Sequence, residues 1–296
     1  MRQGVRAAGR RAILGLGTRG RAVAAAQWYR LIAPQACEEV DRTDVRSGFL
    51  WARSLDGGRG RLWRPEYAWS ILRAAMIAEA LGIERFSAIE FGVAGGTGLL
   101  AMELAAERAE AVYGVGVDVF GFDTATGMPP PVDHRDAPFT IREGQWKMDP
   151  AKLRARLRRA ELMLGLVGDT VAEFLRREAP PIGFISNELD YYSSTIEAFT
   201  VLDADPTRLL PRVLCYFQGV MWHPWTEFNG TRAAINDFNA GHERRKISPI
   251  YGLRYSLPRS EFRKAWPEKM FVAEIFDHGL YDADQHIPPM DQSLAE

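Results

Sequence analysis

Residues 89–102 read IEFGVAGGTGLLAM, and this stretch decides the fold of the chain. It opens with a short apolar run that contains Glu90, turns at Gly92 and at a glycine cluster over 95–98, and continues from Leu99 in a helical pattern. An apolar run, a tight glycine turn and a helix follow one another in this order in parallel α/β sheets. Ligands of such sheets bind beyond the carboxyl ends of the strands, so we expect a ligand close to this turn.

Two ligands suit the turn, and a turn without any ligand is the third interpretation. An acid at a strand end followed by a glycine turn suits S-adenosylmethionine, because the backbone can pass close to the methionine part while a carboxylate holds its cationic side. The competing interpretation is a dinucleotide fingerprint, G-x-G-x-x-A, at Gly96, Gly98 and Ala101. That fingerprint needs its first glycine directly after the strand, whereas the apolar run ends by Gly92. Without a ligand, Glu90 is a solvated acid at a strand end.

Outward from this turn, apolar runs and helical patterns alternate along most of the chain. The predicted helices cover 65–82, 99–108, 149–160, 170–178, 194–202 and 231–243. The predicted strands cover 86–93, 111–123, 161–164, 181–190 and 212–220, with 252–257 and 269–276 as a closing pair. Repeated alternation predicts a doubly wound, Rossmann-like α/β sheet that is mostly parallel, has an antiparallel C-terminal strand and carries helices on both faces.

The next predicted strand also ends in an acid. Asp123 closes the run 111–123, where a carboxylate can accept both hydroxyls of a ribose. Asp118 is the alternative acceptor if the strand ends sooner, and a cap on the turn before Gly127 is a purely structural role for Asp123. The segment near 127–150 contains three consecutive prolines and cannot continue a helix or a central strand, so we interpret it as a lid or binding loop.

Four segments, taken in order, resemble the class I S-adenosylmethionine-dependent methyltransferases, and within them the macrocin O-methyltransferase-like branch. They are IEFGVAGGTG at 89–98, GFDTATGMPPP at 121–131, GFISNELDYYSST at 183–195 and RVLCYFQGV at 212–220. The resemblance covers roughly residues 88–238 and implies a seven-stranded methyltransferase sheet that binds S-adenosylmethionine. It places Glu90, Gly92 and Gly96 beside the methionine part and Asp123 on the ribose. The neighbouring Ala94 and Thr97 complete the candidate cofactor-binding residues.

The sequence departs from that branch where a metal ion is expected. Members often bind Mg²⁺ through an acid in the segment matching NELDYY and through an Asp-Asp pair that ends the following strand. Here Gln218 and Gly219 replace the pair. Glu188 and Asp190 alone remain as carboxylate ligands, which are few for a cation that prefers carboxylates and water. We therefore predict weak or no specific binding of Mg²⁺. Leu166 likewise stands where related sequences commonly place an acid near the adenine.

Methyl transfer to a hydroxyl needs alignment of the reactants and a base that takes the proton. The candidate catalytic residues are His223, Asp190 and Glu188, which we expect at one rim of the sheet. Histidine titrates near neutral pH, so His223 is the natural base without Mg²⁺, and an ordinary loop histidine is the alternative. Aromatic side chains nearby suit an aromatic or glycosidic acceptor, and core packing is the plainer explanation for them. They are Trp222, Trp225, Tyr191 and Tyr192.

The composition limits the partners of the chain. The 37 basic and 38 acidic side chains nearly cancel, with a pI of about 6.6, which argues against nucleic acid as the main partner. Cys37 and Cys215 lie far apart without metal-ligand spacing, which argues against a zinc site or a disulfide framework and favours a reducing cytoplasm. Arginines or acids interrupt every apolar run, so no transmembrane segment is expected. The sequence allows a homo-oligomer.

The chain is expected to divide near residue 60. Residues 1–60 form a basic, partly helical N-terminal extension that ends in a glycine hinge at 57–60. Its arginines suit a transit-type presequence, a helix on anionic lipid or a frayed terminus, of which the last is favoured. Residues 61–296 form the S-adenosylmethionine-binding, methyltransferase-like domain with a lid-type insertion near 127–150.

These observations predict an S-adenosylmethionine-dependent methyltransferase that O-methylates a small secondary-metabolite or sugar-like acceptor without a metal ion. A catalytically inactive, methyltransferase-fold binding protein is the alternative, which Gln218, Gly219 and Leu166 motivate. A nicotinamide oxidoreductase is a distant third.

Overall fold

The computed structural model of the chain describes residues 45–55, 63–222 and 224–283. The helices are α1 (Val45–Leu55), α2 (Pro65–Ala80), α3 (Thr97–Tyr113), α4 (Pro150–Arg154), α5 (Val167–Leu175), α6 (Tyr192–Ala198), α7 (Gly230–Gly241) and α8 (Leu253–Ser256). The strands are β1 (Arg85–Phe91), β2 (Gly116–Asp123), β3 (Glu161–Leu164), β4 (Ile182–Asn187), β5 (Leu209–Phe217), β6 (Arg245–Pro249) and β7 (Met270–Ile275). The Arg-rich start, the glycine hinge at 57–60 and His223 lie outside the described residues. None of the helices in the described ranges is long and apolar enough to cross a membrane.

The strands form one sheet in the order β3-β2-β1-β4-β5-β7-β6. β1 to β5 pair in parallel, and β7 runs antiparallel to both β5 and β6. Parallel neighbours need crossover connections, which explains why helices separate the first five strands along the chain. The strand order reverses between β1 and β4, and ligands of such sheets bind at the carboxyl ends of the strands beside that point. The predicted doubly wound, mostly parallel fold with an antiparallel C-terminal strand is confirmed.

The side chains of β1 show how the sheet separates two helical layers. Ile89 and Phe91 are buried in the main hydrophobic core with residues of α5, α6 and α7. Glu90 points to the opposite face, where its carboxylate contacts Tyr67 of α2. This alternation follows from the two-residue period of a strand, and it places α2 and α3 on one face of the sheet and α5 to α7 on the other.

Helix α1 packs against the domain, although the sequence places 45–55 in the N-terminal extension. Phe49 is fully buried, and its ring centroid lies 5.7 Å from that of Trp63 and 6.3 Å from that of Trp266. Arg53 of the same helix donates to Glu261 at 2.8 Å. These contacts connect α1 with the segment before α2 and with the segment before β7.

The charged helix predicted over 149–160 is wrong beyond its first turn, which is α4. The backbone N–H groups of Arg158, Arg159 and Ala160 donate to Oε1 of the buried Glu103 at 2.9, 2.8 and 2.8 Å. Backbone groups that are committed to a side chain cannot extend a helix, so the chain continues in turns until β3.

The strand predicted over 252–257 is also wrong. Gly252 has a φ of +76° and precedes the short helix α8, in which Leu253 is buried. The strand that pairs with β7 is β6, immediately before this turn. Short apolar segments do not distinguish a strand from a turn of helix, and here the positive φ of Gly252 begins the turn.

Candidate functional site

A cavity of about 720 Å³ lies at the carboxyl ends of β1, β2, β4 and β5. Its wall comprises the glycine turn after β1, the segments after β4 and β5, and part of the insertion after β2. The cavity therefore lies at the point where the strand order reverses, as expected for a ligand site of this fold. The predicted site residues in its wall are Glu90, Gly92, Ala94, Gly96, Thr97, Asp123, Glu188 and Asp190. The remaining predicted residue, His223, lies outside the described residues.

The glycine turn allows α3 to begin in contact with Glu90. Gly96 caps the helix with a φ of +77°, a conformation that favours glycine. A Cβ atom at Gly98 would overlap Oε1 of Glu90 and lie 3.1 Å from the hydroxyl of Tyr67. Gly96 follows the last residue of β1, Phe91, by five positions, so the register differs from the one that a dinucleotide fingerprint needs.

Glu90 is a buried acid, and one of its two oxygens has a hydrogen-bond partner. Its side chain is 1% exposed, and its Oε1 lies 2.7 Å from the hydroxyl of Tyr67. Its Oε2 is buried and has no hydrogen-bond partner within the described part of the chain. Burial, and after it the charge of Glu188, raises the pKa of Glu90 to about 8. The residue is therefore not the solvated strand-end acid of the ligand-free interpretation.

The hydrogen bonds around Tyr67 also indicate that Glu90 is protonated at neutral pH. The Tyr67 hydroxyl accepts from Ser186 at 2.7 Å and lies 2.9 Å from Oε1 of Glu188 as well as 2.7 Å from Glu90. A phenol has one proton and can donate it to only one of the two carboxylates. The other contact needs a proton from the acid itself, and a pKa of about 8 assigns that proton to Glu90 at neutral pH.

Asp123 joins the turn after β1 to the turn after β2. Its Oδ2 accepts from the backbone N–H of Ala94 at 2.8 Å, and its Oδ1 accepts from that of Ala125 at 2.7 Å. The residue therefore has the capping role considered from the sequence and lines the cavity as well. Asp118, the alternative ribose acceptor, lies inside β2, pairs with Arg85 at 2.6 Å and is not part of the cavity wall.

Glu188 and Asp190, which follow β4, differ in their partners. Oε1 of Glu188 accepts from Nη1 of Arg64 at 2.7 Å, and the Arg64 guanidinium also lies over the ring of Tyr67. The Asp190 carboxylate has no hydrogen bond to any of the described residues. Burial, and after it the charge of Glu188, raises the pKa of Asp190 to about 6. Asp190 thus combines an available carboxylate with a pKa suited to a general base near neutral pH.

Gln218, after β5, is fully engaged through its amide oxygen. Its Oε1 accepts from the hydroxyl of Tyr216 at 2.6 Å and from Nζ of Lys269 at 2.8 Å. These two bonds use both lone pairs of that oxygen. Cys215 of β5 is buried, and burial raises the pKa of its thiol to about 12, so it is a neutral core residue. Within the described ranges no group of three or more His, Cys, Asp or Glu side chains is arranged to hold a metal ion.

The insertion after β2 packs as a wall of the cavity and is fastened by Asp136. This carboxylate is fully buried and accepts from the backbone N–H of Val132 at 2.7 Å and from the backbone N–H and hydroxyl of Ser193 at 2.8 Å each. Ser193 lies in the first turn of α6, so one buried acid connects the insertion to the domain. Behind this connection Ala137, Ile141, Tyr191 and Trp225 form a small core.

Of the four aromatic residues predicted near the mouth, three line the cavity and one does not. Trp222, Trp225 and Tyr191 line the cavity, and the ring centroids of the two tryptophans lie 5.4 Å apart. Tyr192 is outside the wall, because its ring packs under the guanidinium of Arg135 and its hydroxyl donates to Asp237. Tyr192 is 8% exposed and belongs to the main hydrophobic core, so core packing, the plainer explanation, holds for it.

Sequence reasoning missed Arg64, Tyr67, Trp146 and Asp136. Arg64 and Tyr67 are distant from every motif along the chain. The helix that carries Tyr67 is mostly apolar, so its sequence does not indicate a polar network. Trp146 lines the cavity from the insertion, with a φ of +58° that an aromatic residue seldom adopts. The available signal was the position of Arg64 before Pro65, since a proline at the first position of a helix marks the preceding residue as its N-cap.

No protein-family model matches the chain, and a sequence search of curated proteins finds no match. Among solved structures the chain is similar to the calicheamicin methyltransferase CalS11, with 20% identity, coverage of 62% of this chain and 74% of that chain, and a TM-score of 0.47. It is similar to the O-methyltransferase NovP, with 16% identity, coverage of 60% and 72%, and a TM-score of 0.47. An O-methyltransferase from Bacillus cereus in complex with SAH has 14% identity, coverage of 69% and 82%, and a TM-score of 0.33. With identities and TM-scores this low, function has to come from the residues of this chain.

Proposed function

We propose that the chain is an S-adenosylmethionine-dependent methyltransferase that methylates a hydroxyl group of a small molecule without a metal ion. The observation that carries the proposal is a single cavity bordered by Glu90, by Asp123 and by the glycine turn between them. A buried acid and a second acid at the neighbouring strand end provide acceptors for the two polar parts of an adenosyl sulfonium compound.

The residues of the wall fit this cofactor part by part. The unpartnered Oε2 of Glu90 suits the ammonium group of the methionine part, because a buried acceptor without a donor is costly. Each oxygen of Asp123 accepts one backbone N–H and retains capacity for a ribose hydroxyl. Leu166 lies in the wall, is 54% exposed and offers apolar surface to an adenine. When bound, the cofactor supplies an electrophilic methyl group on a positively charged sulfur and leaves as neutral S-adenosylhomocysteine.

Asp190 is the general base that the geometry favours. As an acceptor oxygen forms its new bond to carbon, the hydroxyl proton moves to the free carboxylate of Asp190. Glu188 is already bonded to Arg64 and close to Tyr67, so we assign it a positioning role. His223, which lies outside the described residues, stays a prediction as an alternative base.

Of the two acids after β4, only Asp190 has no ion pair with a described residue, and one carboxylate is too few for a metal ion, which supports a reaction without one. Arg64 neutralises Glu188, and Lys269 holds the oxygen of Gln218 that a cation would otherwise use. Mg²⁺ prefers several carboxylate and water oxygens in octahedral order, and this donor set does not suit it. A reducing cytoplasm as the location stays a prediction that rests on cysteine usage.

Isothermal titration with S-adenosylhomocysteine tests the cofactor assignment. Asp123→Ala is expected to weaken binding at least tenfold, because it removes the proposed ribose acceptor and the bond that orients Ala94. Asp118→Ala is the matched control, since it removes an acid of the same strand outside the cavity, and we expect its affinity within twofold of wild type. Absence of binding at millimolar ligand in the wild-type protein would discard the proposal.

A catalytically inactive binding protein is the second candidate, favoured by the full engagement of Gln218 and the missing side chain at Gly219. Turnover separates the two candidates. An active enzyme is expected to form S-adenosylhomocysteine with a hydroxyl acceptor in the presence of EDTA, and Asp190→Asn should lower kcat by a factor of about 100 at unchanged cofactor affinity. Cofactor binding without turnover across a panel of phenols and sugars supports the inactive candidate.

A further inference from the structure

The cavity wall contributed by the insertion and by the segments after β4 and β5 differs in character from the wall around the glycine turn. It presents three tryptophan rings, those of Trp146, Trp222 and Trp225. Trp146 and Trp222 are 51% and 44% exposed, so both contribute accessible apolar surface to the wall. Large, partly exposed rings around a cavity favour a ligand that offers a flat apolar face.

The charge of this wall is negative. Its acids are Glu188, Asp190 and Glu197, to which the cofactor part of the cavity adds Asp123 and the protonated Glu90, which carries no charge. Arg64 is the one basic residue in the described wall, and its guanidinium is already bonded to Glu188. Lys269 is outside the wall and donates to Gln218. Among the described residues of this wall an anionic ligand would meet no unbonded cation and would face the carboxylate of Asp190, on which Lys269 acts only from outside the wall.

Trp225, the most buried of the three tryptophans, carries an indole N–H that none of the described residues accepts. Its side chain is 7% exposed, and its indole Nε1 is buried with no hydrogen-bond partner in the described part of the chain. A buried N–H without an acceptor is uncommon because it forgoes the hydrogen bond that it would have in water.

Building on the proposed function, we infer that the methyl acceptor is a flat, aromatic hydroxyl compound that is uncharged or cationic, and that acceptors with a phosphate or carboxylate group are rejected. The tryptophan rings provide the surface for the ring system, and Asp190 provides both the base and the repulsion of anions. This inference narrows the acceptor from small metabolites in general to phenols without negative charge.

Three naphthols with one ring system and different charge test the inference. The probes are 6-methyl-2-naphthol, which is neutral, 6-aminomethyl-2-naphthol, which is cationic, and 6-hydroxy-2-naphthoate, which is anionic. Each is titrated calorimetrically into the full chain that has first been saturated with S-adenosylhomocysteine. We expect the neutral and cationic probes to bind at least tenfold more tightly than the naphthoate.

Two variants that each remove one negative charge test which acid weakens the binding of the anionic probe. Asp190→Asn should narrow the ratio of affinities between the neutral and anionic probes severalfold. Glu197→Gln removes the same charge from an exposed position of the same wall and should narrow the ratio less. Saturation with S-adenosylhomocysteine distinguishes failure of this inference from failure of the proposed function. If the protein does not bind S-adenosylhomocysteine, the proposed function is wrong before any probe is added.

Three outcomes overturn the inference while the proposed function stands. They are binding of no probe to the saturated protein, a ratio near one in the wild-type protein, and a ratio that Asp190→Asn narrows no more than Glu197→Gln does.

Discussion

Glu90 couples the stability of the fold to pH. Its pKa is raised from 4.5 to about 8, first by burial and second by Glu188, so the folded protein holds this proton more tightly than the unfolded chain does. Between about pH 4.5 and pH 8 the free energy of unfolding therefore falls as the pH rises. Below this window both states are protonated and the residue costs nothing. Above it the cost is complete, on the order of 5 kcal/mol.

Glu90→Gln removes the titration and keeps a donor, the amide N–H, for the hydroxyl of Tyr67. We expect the variant to raise the urea midpoint of unfolding strongly at pH 8.5 and little at pH 5.5, because only at the higher pH does the wild-type protein bury a charge. Glu197→Gln, at an exposed position, serves as the control and should have a small effect at both pH values. An equal gain from Glu90→Gln at the two pH values would contradict the assignment.

Individual site residues were predictable from sequence only where a strand end marks them. Glu90 and Asp123 each follow an apolar run, and parallel strands bring such ends to one edge. Arg64 and Tyr67 have no comparable mark, because they reach the site from a helix on the face of the sheet. The difference between Glu188 and Asp190 was equally hidden, since it depends on which of two acids the distant Arg64 meets.

The turn between β1 and α3 brings the backbone close to the side chain of Glu90. Substitutions at two of its glycines test whether stability depends on this close contact or on the flexibility of glycine. Gly98→Ala would place a Cβ atom on Oε1 of Glu90, which is held by Tyr67 on its other side. Gly95→Ala meets no atom within 4 Å. We expect Gly98→Ala to lower the free energy of unfolding by about 2 kcal/mol and Gly95→Ala to change it by less than about 0.5 kcal/mol. Chemical denaturation measures both, and similar values for the two would refute the close contact.

At the scale of elements, the parallel strands were predictable because each is a continuous apolar run between helical patterns. The segment after α4 was not, because three of its N–H groups bind Glu103, which belongs to a helix about 50 residues earlier in the chain. The insertion was recognised as a loop from its prolines. Its packing was hidden, because it depends on Asp136 meeting Ser193, and no local pattern reports that contact.

At the scale of the whole molecule, Phe49 tests whether α1 is part of the folded domain. The ring is fully buried between Trp63 and Trp266, whereas the neighbouring Leu50 is 42% exposed. Phe49→Ala is expected to lower the free energy of unfolding by about 3–5 kcal/mol within a single transition, and Leu50→Ala by less than about 1 kcal/mol. Should Phe49→Ala leave the main transition unchanged, α1 belongs to a separable extension, as the division near residue 60 predicts.

The fold as a whole was more predictable than its boundary. Alternation of strands and helices, short connections and right-handed crossovers leave few arrangements, and the doubly wound sheet is among them. The place of α1 depends instead on an aromatic contact between segments that are about 200 residues apart in the chain, Phe49 and Trp266. A glycine-rich stretch between them in sequence gives no information about such a contact.

The attachment of the insertion through Asp136 has a consequence for evolution and engineering. Because Asp136 fixes this segment to α6 and Ile141 packs in the small core, the exposed side chains of the insertion, such as Phe139 and Trp146, can vary without loosening it. The cofactor half of the cavity is formed by strand ends and tolerates little change. The opposite half is formed in part by exposed side chains of the insertion, which tolerate substitution. New acceptor preferences can therefore be acquired, or selected in a library, by changing these exposed side chains while Asp136 and Ile141 are kept.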